Sequence, residues 1–200
     1  FRRFSIKTAV TASLAGFALL AAGCSNSQDS ADSADSSDEK MEATSEERIA
    51  AVGLGDADTV LALGETPVAI APWAGSNDGV GPWSEDLLSG ADPALIRDTS
   101  GGFDQQHIEA IAATDPTKII AVNHSIDDET KKKFETIAPT TLHSAEDSDW
   151  QIPWEKQVET IAKALDKEDE GQKLIDETNA AFEKFREDHP ELQGKTAAIA

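Results

Sequence analysis

The chain has 200 residues, 38 acidic against 17 basic, and a formal net charge of −21. Hydrophobic residues make up 39%, enough for a packed core and too many for a chain disordered throughout. So negative a surface repels phosphate backbones and excludes nucleic acid as a partner, while helping to keep a secreted protein in solution.

Arg2, Arg3 and Lys7 open the chain, an apolar run follows from Thr8 to Ala22, and small residues lead to Cys24, the only cysteine. Charge, grease and small residues in that order form a secretory signal, residues 1–23. As a helix the run would reach roughly 22 Å, short of the ~30 Å hydrocarbon core, so it reads as an address and not as a span. A buried free thiol fits poorly, because no core pattern surrounds Cys24. Leu20-Ala21-Ala22-Gly23-Cys24 resembles the lipobox of bacterial lipoproteins, with Ala21 where leucine is commoner. That resemblance implies cleavage before Cys24 and lipidation of its sulfur. Two or more acyl chains suffice for stable anchoring, here at the extracytoplasmic face of the cell membrane. Residues 1–23 carry three positive charges and no negative ones, so their removal leaves −24. Residues 24–46 are rich in Ser and Asp and nearly free of large apolar groups. They cannot offset the entropy of ordering and read as a tether with a coil span of about 25 Å.

Beyond the tether the pattern becomes regular. Arg48–Gly53 reads as a buried strand, and Asp56–Leu63 as a helix closed by Gly64. Pro67–Pro72 is the next strand, followed by a Gly/Pro/Trp loop and a short helix near Ser84–Ser89. Asp104–Ala113 is a helix with Asp104 as N-cap, and Lys118–Val122 a strand of the continuous apolar type. Asp127–Ala138 is a helix stopped by Pro139, and Thr140–Leu142 a short strand. Alternating strands and helices with apolar strands predict an α/β fold, a parallel sheet with helices on both faces. Two helices then follow in succession, Pro153–Leu165 and Lys167–Asp188. The second, roughly 33 Å long, carries Leu174, Ile175, Thr178, Ala181, Phe182 and Phe185 on one stripe. Lys195–Ala200 opens a further strand. Because the chain starts at Phe1 and stops in that apolar run, it is expected to be part of a longer protein.

The stretches GDADTVLALGETPVAI, HIEAIAATDPTKIIAVNHSIDDETKKKFETIAPTT and PWEKQVETIAKALDKEDEGQKLIDETNAAFEKFREDHPELQGKTAAIA resemble the iron–siderophore solute-binding lipoproteins of ABC importers. That group also includes cobalamin and haem binders. The family pattern Asn-Leu-Glu-x-Ile-x-x-Leu-x-Pro-Asp corresponds to His107-Ile108-Glu109-Ala110-Ile111 and Asp115-Pro116-Thr117, with Thr114 and Thr117 as departures. The resemblance implies an N-terminal α/β ligand-binding lobe over 47–166, a bridging helix over 167–190 and the first strand of a truncated C-terminal lobe over 191–200. It also implies a ferric siderophore as ligand, held between lobes and delivered to an ABC permease.

In an open parallel sheet, ligands lie beyond the C-terminal ends of the strands. Trp73, Asn123, His124 and the Thr141–His143 segment fall there, and Trp73 and Trp83 flank a glycine-bearing loop. An indole there is more often a lid over its own core than a ligand wall, and Asn123 serves equally as a ligand contact or a loop-capping amide. The family's aromatic or arginine contact transfers to Phe103 without a gap, or to Arg97 with one. Glu109, opposite Ile108 and Ile111, corresponds to the family's permease-docking glutamate, and a plain solvated charge would look the same. His124 and His143 could instead converge on bare Zn²⁺ or Mn²⁺. No catalytic residue, metal site or cofactor is assigned: Gly-x-Ser-x-Gly is absent, and Gly-Leu-Gly-Asp-Ala-Asp lacks the third glycine of a dinucleotide fingerprint. A sensory or adhesion lipoprotein without transport is the reading from another class.

Overall fold

Val, Ile and Ala fill the strands on both of their faces, and burial on both sides is what a parallel sheet with two helical layers requires. In the computed structural model five parallel strands lie in the order β3-β2-β1-β4-β5. They are β1 (Ile49–Ala51), β2 (Ala69–Ile70), β3 (Ala94–Leu95), β4 (Lys118–Ala121) and β5 (Thr140–Leu142). The structure describes residues 47–73, 76 and 79–196, all in the second of two units, Thr44–Ala200. The signal, Cys24, the whole tether and most of the strand expected at 195–200 lie outside the described residues.

Alternate strand residues feed two cores. Ile49, Ala51, Ile70, Ile120 and Val122 pack against α1 (Asp56–Ala62) and α4 (Trp154–Ala164). Ala50, Val52, Ala69, Ile119 and Ala121 pack against α2 (Gln105–Ala113) and α3 (Asp128–Ile137). Each fully buried isoleucine or phenylalanine, such as Ile119 or Phe134, contributes roughly 1.5–3 kcal/mol by leaving water. Asp104 caps α2 by accepting from His107 N–H at 3.0 Å, and Asp127 caps α3 by accepting from Thr130 N–H at 2.7 Å. Each cap gives a partner to a backbone N–H that has none inside its helix.

The expected α/β architecture is therefore present, with element bounds shifted by a residue or two. One strand went unread. β3 is two residues long at the sheet edge, one exposed and one half-buried, too short for any hydrophobic period to register. It matters because its end delivers Arg97 to the rim. The short helix expected near Ser84–Ser89 is a single 3₁₀ turn, Glu85–Leu88.

Helix α5 (Glu168–Asp188) spans 21 residues, about 31 Å. Its apolar stripe divides. Gly171 and Ile175 are buried, whereas Phe182 and Phe185 stand 53% and 51% exposed. At the α4–α5 crossing, a Cβ on Gly171 would sit 2.5 Å from the Ala162 Cβ. Only a glycine lets the helices approach so closely. Gly171→Val is expected to lower the unfolding free energy by about 2 kcal/mol in urea titrations, because overpacking forces the helices apart.

Candidate functional site

The sheet order reverses between β1 and β4, and the loops leaving these strands turn to opposite faces, opening a crevice at their C-terminal ends. Asp56, first residue of α1, is sealed there with no exposed surface. Its carboxylate accepts from Val122 N–H at 2.7 Å and Asn123 N–H at 3.4 Å, both just past β4. Gln157 of α4 donates to it at 2.7 Å and to Leu54 O at 3.2 Å. Gly53 is required beside it, because a Cβ would lie 2.0 Å from the Asp56 Oδ2 and 2.8 Å from Asn123 N. Burial pushes the Asp56 carboxyl up to about 6, and the bonds from Gln157, Val122, Asn123 and Gly53 oppose the rise.

Two cavities open along this rim, of 690 Å³ and 290 Å³. Trp73 lines the smaller one, half-buried, with its indole N–H donating to Asp58 at 2.7 Å. The ring lies over Gly55, whose φ of +75° and 3.2 Å clearance leave no room for a side chain. Trp83 meets Trp73 edge-on at 6.2 Å but stands 69% exposed outside both cavities. Arg97, directly after β3, also lines the smaller cavity and donates to Ser76 O at 3.2 Å. Phe103 is buried against Phe134 and His124, with only an edge toward the larger cavity. Asn123 clamps the two loops: its side chain donates to Leu54 O at 3.0 Å, and its backbone oxygen accepts from Leu54 N–H at 2.9 Å. That geometry is the loop-capping one. Glu109 is exposed on α2, accepting from Gln105 at 2.9 Å.

The two histidines do not offer free nitrogens to a shared ion. His124 is buried, its ring nitrogens each 3.0 Å from a backbone carbonyl, of Ser125 and of Thr99. His143 meets Ser144 O at 2.8 Å and Asp149 at 3.1 Å. Among the described residues, no group of three or more His, Cys, Asp or Glu is placed to hold a metal.

A family model described as periplasmic binding protein matches residues 49–200. The chain belongs to that family. It is 34% identical to a periplasmic solute binding protein from Mycobacterium smegmatis, TM-score 0.67, over 74% of this chain and 51% of that one. It is 32% identical to PiaA, an iron uptake ABC transporter substrate-binding protein from Streptococcus pneumoniae, TM-score 0.62, over 74% and 48%. A structure of PiaA in complex with ferrichrome matches at 32% identity, TM-score 0.63, over the same shares. The chain thus spans about half the length of these relatives. No curated protein matches it.

For a periplasmic binding protein, the rim holds residues that sequence reasoning missed. Trp150 follows β5, lines both cavities and packs against His124 with the rings tilted by 51° and their centroids 4.5 Å apart. Its φ of +62° is a strained conformation for a bulky residue. An aromatic in the polar loop before Pro153 was the available signal. Asp56 had one too: an acid right after glycines that close a strand. Its raised pKa also has a sign. Between the unfolded value of 3.8 and the folded value of about 6, the folded state holds more protons than the unfolded state. Stability from this group therefore falls as pH rises through that window, by about 3 kcal/mol in all. Wild type should gain in urea midpoint relative to Asp56→Asn when pH is lowered from 7 to 5.

Proposed function

We propose that this protein is a lipid-anchored receptor outside the cytoplasm that captures a ferric siderophore and delivers it to an ABC importer. The observation that carries the reading is the rim at the β1–β4 reversal, open beside Trp73, Trp150, Arg97 and His124, in a chain of the periplasmic binding protein family. A siderophore complex is large and partly apolar, and aromatic walls with a few hydrogen-bonding groups suit it. PiaA, 32% identical, has been captured with ferrichrome. In this reading, residues 47–166 form the N-terminal lobe, α5 is the core of a bridging helix over 167–190, and a second lobe opens from 191 onward. A stiff helical connector allows only modest closure on the ligand. Glu109, exposed on the outer side of α2, is the docking carboxylate for the permease. Trp73 and Trp150 are the aromatic ligand contacts and Arg97 the polar one. Trp83, Phe103, Asn123 and His124 support the rim around them.

Adding a ferric tris-hydroxamate to the purified full chain should quench tryptophan fluorescence saturably, and Trp73→Phe should reduce the amplitude. Silence toward every ferric chelate, with a response to haem, cobalamin or free Zn²⁺, would replace the ligand named here. The anchor is tested separately. Cys24→Ala should release the protein from the membrane fraction, because its thioether lipid is what would hold it there.

A further inference from the structure

Asp58 stands half-buried in the first turn of α1, yet no side chain caps that helix. Its two oxygens serve the rim instead. Oδ2 accepts from the Trp73 indole N–H at 2.7 Å, and Oδ1 accepts from Gly81 N–H at 3.2 Å, 15 and 23 residues further along the chain. The first bond is at the short end for a nitrogen donor, as a carboxylate acceptor favours. One side chain thus holds both described ends of the loop that runs from Trp73 to Gly81. The second indole meets the same two residues. Trp83 lies over Gly81, where a Cβ would come within 2.2 Å of its ring, and it meets Trp73 edge-on with centroids 6.2 Å apart. Gly55 bounds the Trp73 ring as well, since a Cβ there would stand 3.2 Å from it. Of these contacts to Trp73, the hydrogen bond to Asp58 is the strongly directional one. Trp73 lines the smaller cavity, whereas Asp58 is among the described lining residues of neither. Whatever fills the cavity meets the indole, and the carboxylate acts from behind it.

We propose that Asp58 is a positioning residue for ligand capture: it fixes the Trp73 indole, and with it both ends of the rim loop, in the receiving orientation before ligand arrives. The inference rests on the reading of Trp73 as a ligand contact. The gain is entropic. An indole free to turn about its two side-chain torsions populates several rotamers, of which one presents the ring as it stands here. Apparent affinity falls in proportion to the competent fraction, and pinning the ring in advance removes that loss. A carboxylate suits this task better than an amide. An indole N–H and a backbone N–H need two accepting oxygens on one short side chain, and asparagine has one. With its N–H taken by Asp58, the indole offers ligand its apolar ring alone.

The test is a double-mutant cycle on the full chain, with a ferric tris-hydroxamate as the probe and dissociation constants as the readout. Asp58→Ala should weaken binding about tenfold, and Trp73→Phe should weaken it too. The double variant should bind within about twofold of Trp73→Phe, because Asp58 then has no indole left to orient. Asp58→Asn keeps one accepting oxygen and should lose about threefold; it carries the same cycle where the alanine variant folds poorly. A spectroscopic signature separates positioning from a general loss of structure. In Asp58→Ala the Trp73 emission, obtained by difference from the Trp73→Phe background, should move to longer wavelength and become more open to acrylamide quenching. The far-ultraviolet circular dichroism should stay unchanged. Losses that multiply in the double variant overturn this inference alone, as does an Asp58→Ala chain that binds as tightly as wild type. A Trp73→Phe chain of wild-type affinity overturns the assignment of Trp73 as a ligand contact, and this inference with it. No binding by the wild-type chain overturns the siderophore reading and everything built on it.

Discussion

The reversal of strand order between β1 and β4 imposes an electrostatic debt on the fold. The chain leaves β1 toward one face of the sheet and β4 toward the other, so the backbone N–H of Val122 and Asn123 point into a crevice with no neighbouring strand to accept them. Asp56 accepts both, and Gln157 joins the same carboxylate from α4. A buried donor left unpaired costs about 1–3 kcal/mol, so the carboxylate is retained even though burial raises its pKa. One side chain thereby ties together the end of β4, the start of α1 and the helix that leads into α5.

That knot shapes what lies above it. Gly53 must be bare to admit the carboxylate, and Gly55 must be bare to admit Trp73. The indole is then held by Asp58, also in the first turn of α1, which accepts as well from Gly81 N–H at 3.2 Å and so moors the far side of the rim loop. On the opposite side His124 lies sandwiched between Phe103 and Trp150, with centroids at 4.8 and 4.5 Å. The rim is therefore a set of aromatic surfaces fixed from below by buried polar contacts, which is how a binding surface keeps its shape before ligand arrives.

The same residues tell two stories about charge. Asp104 and Asp127 are helix caps, and as caps they would be found in almost any α/β chain. Lining one cavity they are also fixed negative charges, and their cap bonds hold their carboxyls below the usual carboxylate range.

Much of the framework was legible beforehand because it is local. Short, continuous apolar runs at Arg48–Gly53 and Lys118–Val122 read as doubly covered strands. Asp104 marked a helix start and Pro139 a helix stop, through capping and ring geometry that act within a few residues. What the sequence could not state was which loop lies beside which. β3 is defined by its pairing with β2, Ala69 to Ala94 and Ile70 to Leu95, and not by any pattern of its own. Asp56 looked like a first-turn acid until β4 and α4 closed over it. Trp150 looked like a loop residue until it met His124. Local propensity is written in neighbouring residues, whereas burial of a carboxylate or the contact of two rings depends on segments 66 or 26 positions apart, and only the folded chain brings those together.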